Sequence, residues 1–600
     1  MQQIMKAEIK GKKLEVTAYV PQGVKEIAVI IRSDRNSPIS RLSDISDCDP
    51  EGEEKKKSLP SETELWFPVV DIELEAGMKA IARFDHGQKG MCSVNGLFNK
   101  KLIPYDGDIV IPMDVLEYWE NSIYTDTNTG SLYDFHIVKN YRLIPDTNRR
   151  FNHTFKLLSR LWSGSISIAA ADNPELREIM SIKASNTKAF NGQVIPTGKL
   201  EYERLLTSVK ASVDFIMNCQ VRTPHSPLSG GLYSFYDLDA KTYRMNHWIW
   251  GWGPPILLLL EASRIPELNK QYEKGRLYET ACEIGYTSTR MQVYNEDHET
   301  HGLGTVRWDP VFKDPASEIQ YGYSEYITGG SDSNFLSAWA WIPLYMVTGD
   351  RHFLESAELL ANTTERLMGR FELIPQDYAA DAGKWTDHTL DESGFGVEGI
   401  AELYRVTGNE RYKETGRRYM EQHLSKLQRD DGLWQRMWIR SKGMAKETMF
   451  MTRGQGWAME GLLATYRLTG DKKYLELAVK MAEQLMKYQH ETGVWPFMFN
   501  RPLEEVSAGE KGTALWSLLF YKLYSYTGDE RHLESARKAL LWCIDNQYTG
   551  HDRHAYGGIV SCHHQSAVVY RRWFHVCCSY ASGFFGLAAL EELKLQGLIE

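Results

Sequence analysis

Two hydrophobic patterns divide the chain. Up to roughly residue 190, apolar and polar positions alternate in short runs, the signature of half-buried strands. The runs are Lys13 to Val20, Glu26 to Ile31, Leu65 to Leu74, Lys79 to Phe84 and Asp108 to Pro112. Gly, Pro and Asp punctuate them. The pattern predicts an N-terminal β-sandwich-like domain over residues 1–190, with a polar, highly charged loop over 44–63. From 191 to 600 the period changes to that of amphipathic helices, and it repeats. Four turns share one pattern: Tyr345 to Asp350, Tyr404 to Asn409, Tyr466 to Asp471 and Tyr524 to Asp529. In each, a glycine (Gly349, Gly408, Gly470, Gly528) closes one helix and the next residue is Asp or Asn. Glycine accepts the left-handed cap conformation, and Asp or Asn caps the helix that follows. A repeat of this length is one helical hairpin with a connecting loop. Two further hairpins, opening near His247 and Cys577, bring the number to six. Six hairpins close into an (α/α)6 toroid, whereas an open solenoid would need polar capping repeats.

The repeat also locates candidate chemistry. Seventeen residues before Gly349, Gly408 and Gly470 stand Asp332, Asp391 and Arg453; eighteen before Gly528 stands Glu510. That interval is about 25 Å of helix. The Thr-Gly-Asp turns therefore belong at one end of the ring and the four charged residues at the other, around one mouth. A single acidic residue there would only complement a helix dipole. Four in phase, among loops rich in Trp, Tyr and His, indicate a site. Two carboxylates on neighbouring inner helices suit general acid/base work with water between them. An Arg beside them suits a substrate carboxylate.

Composition adjusts this picture only slightly. The chain has 600 residues, 42% of them hydrophobic and 12% aromatic, with 17 Trp and 32 Tyr, which suits both a large core and sugar-stacking surfaces. A net charge of -10 argues against a nucleic-acid partner. The longest apolar stretches, such as Pro254 to Leu260, are too short for a bilayer. The first residues carry no secretory pattern and eight Cys make no disulfide framework, so a cytoplasmic location is expected.

Several segments then resemble a known family. Ser331-Asp-Ser-Asn-Phe335 is similar to the His-Asp-x-Gly-Phe motif of unsaturated glucuronyl hydrolases. Asp391 to Leu403 and Arg453-Gly-Gln-Gly-Trp457 resemble segments of the related unsaturated rhamnogalacturonyl hydrolases, the second matching their Arg-Gly-Asn-Gly-Trp motif. Asp431-Gly-Leu-Trp434 and Thr492-Gly-Val-Trp495 resemble two further loop motifs. The likeness runs from about 320 to 530 in matching order, and Arg-Gly-x-Gly-Trp is its most specific part. It implies a glycoside hydrolase that hydrates the C4=C5 double bond of a terminal unsaturated uronic acid. It implies Asp391 as general acid/base, Asp332 as its assistant, and Arg453 and Trp457 in the pocket. Trp434, Trp495, Glu510, His247, Trp250 and His575 join them as candidate substrate-binding residues. The chain departs from the family at Ser331, where the motif has His, and at Arg436, where the rhamnogalacturonyl enzymes have His. A saturated glucuronide therefore stays open as substrate, and Arg436 still favours an anionic sugar.

The expectation is an exo-acting glycoside hydrolase on oligosaccharides ending in a uronic acid, without cofactor or metal. The N-terminal domain is expected to shape the mouth or serve a homo-oligomer contact. Three alternatives remain. Cys562-His563-His564 with His575, Cys577 and Cys578 resembles the cluster of zinc-thiolate β-L-arabinofuranosidases, although no Glu-x-Cys partner stands upstream and small buried cysteines at a helix start are the more common explanation. Sugar epimerases and isomerases share the toroid and rely on His. A non-catalytic scaffold would bind without turnover.

Overall fold

The computed structural model describes residues 5–10, 13–33, 72–84, 89–95, 100–106, 108–111, 122–125, 132–143, 149–157, 162–171, 178–185, 198–222, 229–238, 241–244, 249–304, 312–313, 320–321, 326–328, 330–379, 383–446, 452–497, 509–561 and 576–599. The expected charged loop 44–63, and most of the strand expected from Leu65 to Leu74, lie outside them.

Among the described residues, three antiparallel sheets form the N-terminal part. Lys13–Tyr19 is flanked by Met5–Lys10 and Arg150–Lys156. A six-stranded sheet runs Glu178–Ser185, Ser163–Ala170, Glu26–Ser33, Leu132–Arg142, Met78–Phe84, Asp108–Ile111. Lys89–Asn95 pairs with Lys100–Asp106 and Ser122–Thr125. The period-2 pattern has its expected result: Leu14, Val16 and Ala18 are buried while Glu15 and Thr17 are not. These three share one apolar cluster with Ile27, Val29 and Ile31 of the larger sheet. Ala28 and Ile30 on the opposite face of that strand are buried too, which explains why Glu26–Ser33 reads as a continuous apolar run.

The helical part closes on itself. Gly253–Arg264 packs against the turn Ser337–Trp341, and that turn against Val397–Thr407. The contacts continue through Thr452–Thr469, Glu510–Thr527 and Ser579–Leu595, which returns to Gly253–Arg264. These are the inner helices. Outside them lie Tyr202–Asn218, Arg276–Thr289, Arg351–Arg370, Glu410–Leu427, Lys472–Met486 and Glu530–Asp545. Burial follows the two roles. Ser579–Leu595 is buried on every side from Ser579 to Leu590, whereas Lys472–Met486 buries only the stripe Tyr474, Ala478, Met481, Ala482 and Leu485.

The turns between inner and outer helices form as their sequence dictates. Gly349, Gly408, Gly470 and Gly528 have φ of 72, 65, 73 and 64°. The N–H of each donates at 2.8 Å to the carbonyl of the Tyr four residues earlier. Asp350, Asn409, Asp471 and Asp529 then accept from the backbone N–H two residues on, at 2.9–3.1 Å. One inner helix is irregular: Ser331–Leu336 passes through a single π turn, Ser337–Trp341, before Ile342–Thr348.

Candidate active site

The opposite ends of the inner helices carry the residues singled out from the repeat. Asp332 is the second residue of Ser331–Leu336 and is partly exposed. Asp391 opens a short 3-10 turn, Asp391–Gly396, that leads into Val397–Thr407. Arg453 is the second residue of Thr452–Thr469, and Glu510 the first of Glu510–Thr527.

An aromatic residue stands one helical turn behind each of the first three: Phe335, Phe395 and Trp457. Their rings meet, with centroids 5.0 Å apart for Phe335–Phe395, 5.2 Å for Phe335–Trp457 and 5.1 Å for Phe395–Trp457. Phe584 adds a fourth ring, 5.6 Å from Trp457. The three helix starts therefore stand around one apolar floor. Trp457, expected at the substrate, is nearly all floor, at 3% exposure. Trp250 stands against it at 5.8 Å and is only half-buried.

Asp391 is fully buried and paired with the equally enclosed Arg436. The backbone N–H of Asp391 donates to the Arg436 carbonyl at 3.0 Å, because the strands His388–Leu390 and Met437–Ile439 pair just beside it. Gln455 Nε2 donates to Asp391 Oδ2 at 3.2 Å and to the Trp434 carbonyl at 3.0 Å, and Gln455 Oε1 accepts from the Trp434 N–H at 2.8 Å. The neighbouring Gly454 is required here: a Cβ on it would stand 2.4 Å from Asp391 Oδ2. The middle of the Arg-Gly-Gln-Gly-Trp segment thus seats Asp391, a role that periodicity alone did not suggest.

Behind this turn, Tyr419 Oη donates to the Ser393 carbonyl at 2.8 Å. Burial, then the Asp332 charge, raise the Tyr419 phenol well above its ordinary value, so the hydroxyl stays a donor. His423 Nδ1 lies 2.8 Å from the Tyr419 carbonyl and Nε2 lies 2.9 Å from Ser393 Oγ. Nδ1 therefore carries the proton and Nε2 accepts. Burial pushes the imidazole down to about 4, so His423 is neutral near pH 7.

Below the floor lies a second acidic group. Trp339 Nε1 donates to Glu398 Oε2 at 2.7 Å, and Lys522 Nζ donates to Glu460 Oε1 at 2.5 Å. Burial and the Glu460 charge push the Glu398 carboxyl well above its usual range. Burial would raise Glu460 too, but Lys522, a hydrogen bond from Glu398 and Arg467 outweigh it and hold Glu460 low. One proton therefore sits on Glu398.

Trp434 and Trp495, expected among the substrate-binding residues, are buried beside the motif segments. Both are wholly enclosed, with no ring face open to solvent. Trp495 donates from Nε1 to the Leu485 carbonyl at 2.8 Å and stacks on Phe520; Trp434 lies against Gly394 and stacks with His423. Arg453 is partly exposed, 5.7 Å from the Phe497 ring centroid. His247, His575, the Glu510 side chain and Cys562-His563-His564 lie outside the described residues. Cys577 and Cys578 stand at the start of the last inner helix as expected: they end the strand Val576–Cys578, and Cys578 is the cap residue of Ser579–Leu595. Burial pushes the Cys577 thiol up. Among the described residues no three His, Cys, Asp or Glu side chains are grouped to hold a metal ion. No helix among them is long and apolar enough to cross a membrane.

A closed ring of six inner and six outer helices is an (α/α)6 toroid. The solved structure titled unsaturated glucuronyl hydrolase specific for heparin has this fold: TM-score 0.50 and 16% identity, over 67% of this chain and 100% of that one. The unsaturated glucuronyl hydrolase of Bacillus sp. GL1 aligns over 66% of this chain and 98% of its own, at 14% identity and a TM-score of 0.49. In sequence, an unsaturated glucuronyl hydrolase of Formosa agariphila is 30% identical over 91 residues. That match takes in 15% of this chain and 23% of the relative's length. Residues 363–557 match the family model described as beta-L-arabinofuranosidase, GH127 catalytic domain. The resemblance to unsaturated glucuronyl hydrolases read from the motifs is thus met again in the comparisons, and each of these names is that of a glycoside hydrolase.

Proposed function

We propose that the chain is an exo-acting glycoside hydrolase that releases a terminal uronic acid, unsaturated or saturated, from an oligosaccharide. Asp391 acts as the general acid/base and Asp332 assists it. Arg436 and Arg453 favour an anionic sugar, Trp457 lines the floor of the pocket, and Trp250 offers the ring face for stacking. The N-terminal sheets over residues 1–190 form a β-sandwich-like accessory unit. The observation that supports this most is the meeting of Phe335, Phe395 and Trp457, each one turn behind a charged residue of the family-like motifs. It brings three separate sequence segments together, as a common site would require. The proton transfers need no redox group: water adds across the double bond of an unsaturated uronide, or displaces the leaving sugar of a saturated one.

A paired assay tests the reading. Lyase-generated unsaturated disaccharides are followed by loss of the ultraviolet absorbance of the conjugated double bond, and p-nitrophenyl β-D-glucuronide by release of nitrophenol. Asp391→Asn serves as control in both. Loss of absorbance that the variant abolishes supports hydration; nitrophenol alone moves the enzyme to saturated uronides; silence in both overturns the reading.

The family model over 363–557 favours a second reading, a β-L-arabinofuranosidase. It predicts activity on p-nitrophenyl β-L-arabinofuranoside, bound zinc on metal analysis, and inhibition by chelators. Zinc-free protein that cleaves no arabinofuranoside removes it.

A further inference from the structure

The outer wall of the ring carries a hollow of about 660 Å³ that the reading above does not use. It is walled by Arg276–Thr289, by the loop that follows Tyr202–Asn218 and by the first turn of Arg351–Arg370. All three are outer elements, so the hollow is separate from the inner helix starts. Arg222, Arg276 and Arg290 line it. Arg222 Nε and Arg276 Nη2 both donate to one amide oxygen, Gln220 Oε1, each at 3.4 Å. Arg290 Nη2 donates to Thr287 Oγ1 at 3.0 Å and to the Ser229 carbonyl at 3.2 Å. Among the described residues, carboxylates come within 4.0 Å only of Arg276: Glu283 Oε1 at 3.7 Å and Glu279 Oε2 at 4.0 Å. Gln220 itself departs from the pattern of the ring. Gln292 and Gln547 stand at the same place after their own outer helices, each in an isolated bridge as Gln220 is. They donate to backbone carbonyls of the next outer helix, Ser356 at 3.0 Å and Ser208 at 2.9 Å. Gln220 donates instead to the Glu283 side chain at 2.6 Å and turns its oxygen to the two arginines.

We propose that this hollow is a second, non-catalytic binding site, and that its ligand is an acidic oligosaccharide with carboxylate groups on successive sugars. The arginines are spread out rather than gathered on one point. Arg276 opens its helix and Arg290 caps the end of it, about 21 Å of helix apart. A single small ion meets one end of the hollow at a time, whereas a chain with spaced acid groups meets both. Guanidinium forks match the planar carboxylate and bind it through paired hydrogen bonds. The volume is that of sites that hold organic ligands rather than bare ions. Between the two ends, the exposed Glu283 carboxylate offers an acceptor for sugar hydroxyls. Tyr286, 38% exposed, offers an apolar ring. Phe353 packs on that ring at 4.8 Å and Asp350 accepts from its hydroxyl at 2.5 Å, so its position is fixed before a ligand arrives. The choice of an acidic sugar rests on the uronide reading above; the anion site on the outer wall does not.

The test uses the full chain and amide hydrogen exchange, read separately over residues 276–290 at the hollow and 452–460 at the mouth. The probes are tetragalacturonate, its fully methyl-esterified form and inorganic sulfate. Tetragalacturonate is expected to protect 276–290 where the neutral ester does not. Arg222→Gln/Arg290→Gln is expected to weaken that protection about 10-fold in ligand concentration and to leave 452–460 unchanged. Arg222→Lys/Arg290→Lys, with its charge retained, is expected to keep most of the binding and serves if the glutamine variant unfolds. Equal protection by acid and ester, or a glutamine variant that responds like wild type, overturns the site. Protection of 276–290 by sulfate but not by tetragalacturonate overturns the sugar as its ligand. A response at 452–460 with none at 276–290 overturns the outer site and leaves the uronide reading standing; the reverse supports the outer site and counts against that reading.

Discussion

Arg436→Met is the perturbation whose size the structure fixes best. The substitution keeps an unbranched apolar stem, shorter than that of Arg, and leaves Asp391 without its guanidinium, inside a site where Asp391 is 0% and Arg436 4% exposed. Solvent cannot replace the lost partner. Gln455 keeps its hydrogen bond to Asp391 at 3.2 Å, but a neutral amide carries no charge to offset a carboxylate. Removing one member of a buried pair costs about 3–5 kcal/mol. Unfolding entropy of about 2.1 cal/mol/K per residue over about 400 toroid residues gives about 0.8 kcal/mol/K, so the midpoint should fall by roughly 4–6 °C. Thermal unfolding followed by circular dichroism measures it. The double variant Arg436→Met/Asp391→Asn removes both charges and should recover most of the loss, a coupling of 1 kcal/mol or more being usual for groups in contact. A single variant within about 1 °C of wild type, or a double variant that falls by the sum of the singles, refutes the reasoning.

Three further outcomes follow from the same geometry. Because His423 is neutral with a folded value of about 4 against 6.5 unfolded, the unfolded chain binds the extra proton between those values. Stability should be complete above pH 6.5 and fall by about 3 kcal/mol as pH drops to 4, and His423→Gln should flatten that part of the pH–stability curve; an unchanged curve counts against the assignment. Glu398 carries a proton in the folded state, so its contribution is complete below its unfolded value and is lost as pH rises through the raised folded one. Glu398→Gln should thus be tolerated and relatively more stable at alkaline pH, whereas Glu460→Gln, which strips Lys522 of its carboxylate, should unfold earlier; equal effects of the two would contradict the division. Gly454→Ala places a Cβ 2.4 Å from Asp391 Oδ2, so turnover should fall about 100-fold or more for a displacement near 1 Å, with unaltered kinetics as the contrary result.

The helical ring was legible in the chain because its signals are local. A glycine that must adopt positive φ and an Asp that must cap the next helix act within six residues, and the turns at Gly349, Gly408, Gly470 and Gly528 form as their neighbours specify. The phase of those turns then places Asp332, Asp391, Arg453 and Glu510 at helix starts. In the N-terminal part, alternation gave Lys13–Tyr19, Glu26–Ser33 and Met78–Phe84 within a residue or two. Which side chains face substrate was not legible. Trp434, Trp457 and Trp495 all follow glycines in motif segments, yet two are core and one is floor, because exposure depends on what the neighbouring helices bring over each ring. The pairing of Asp391 with Arg436 and the gathering of Arg222, Arg276 and Arg290 around one hollow join residues well separated along the chain. Periodicity, caps and the level at which charge gathers follow from the order of residues, since each depends on neighbours along the backbone. Which charges are paired, which are enclosed and which rings meet follows from the folded arrangement, since burial and Coulomb attraction depend on distance in space.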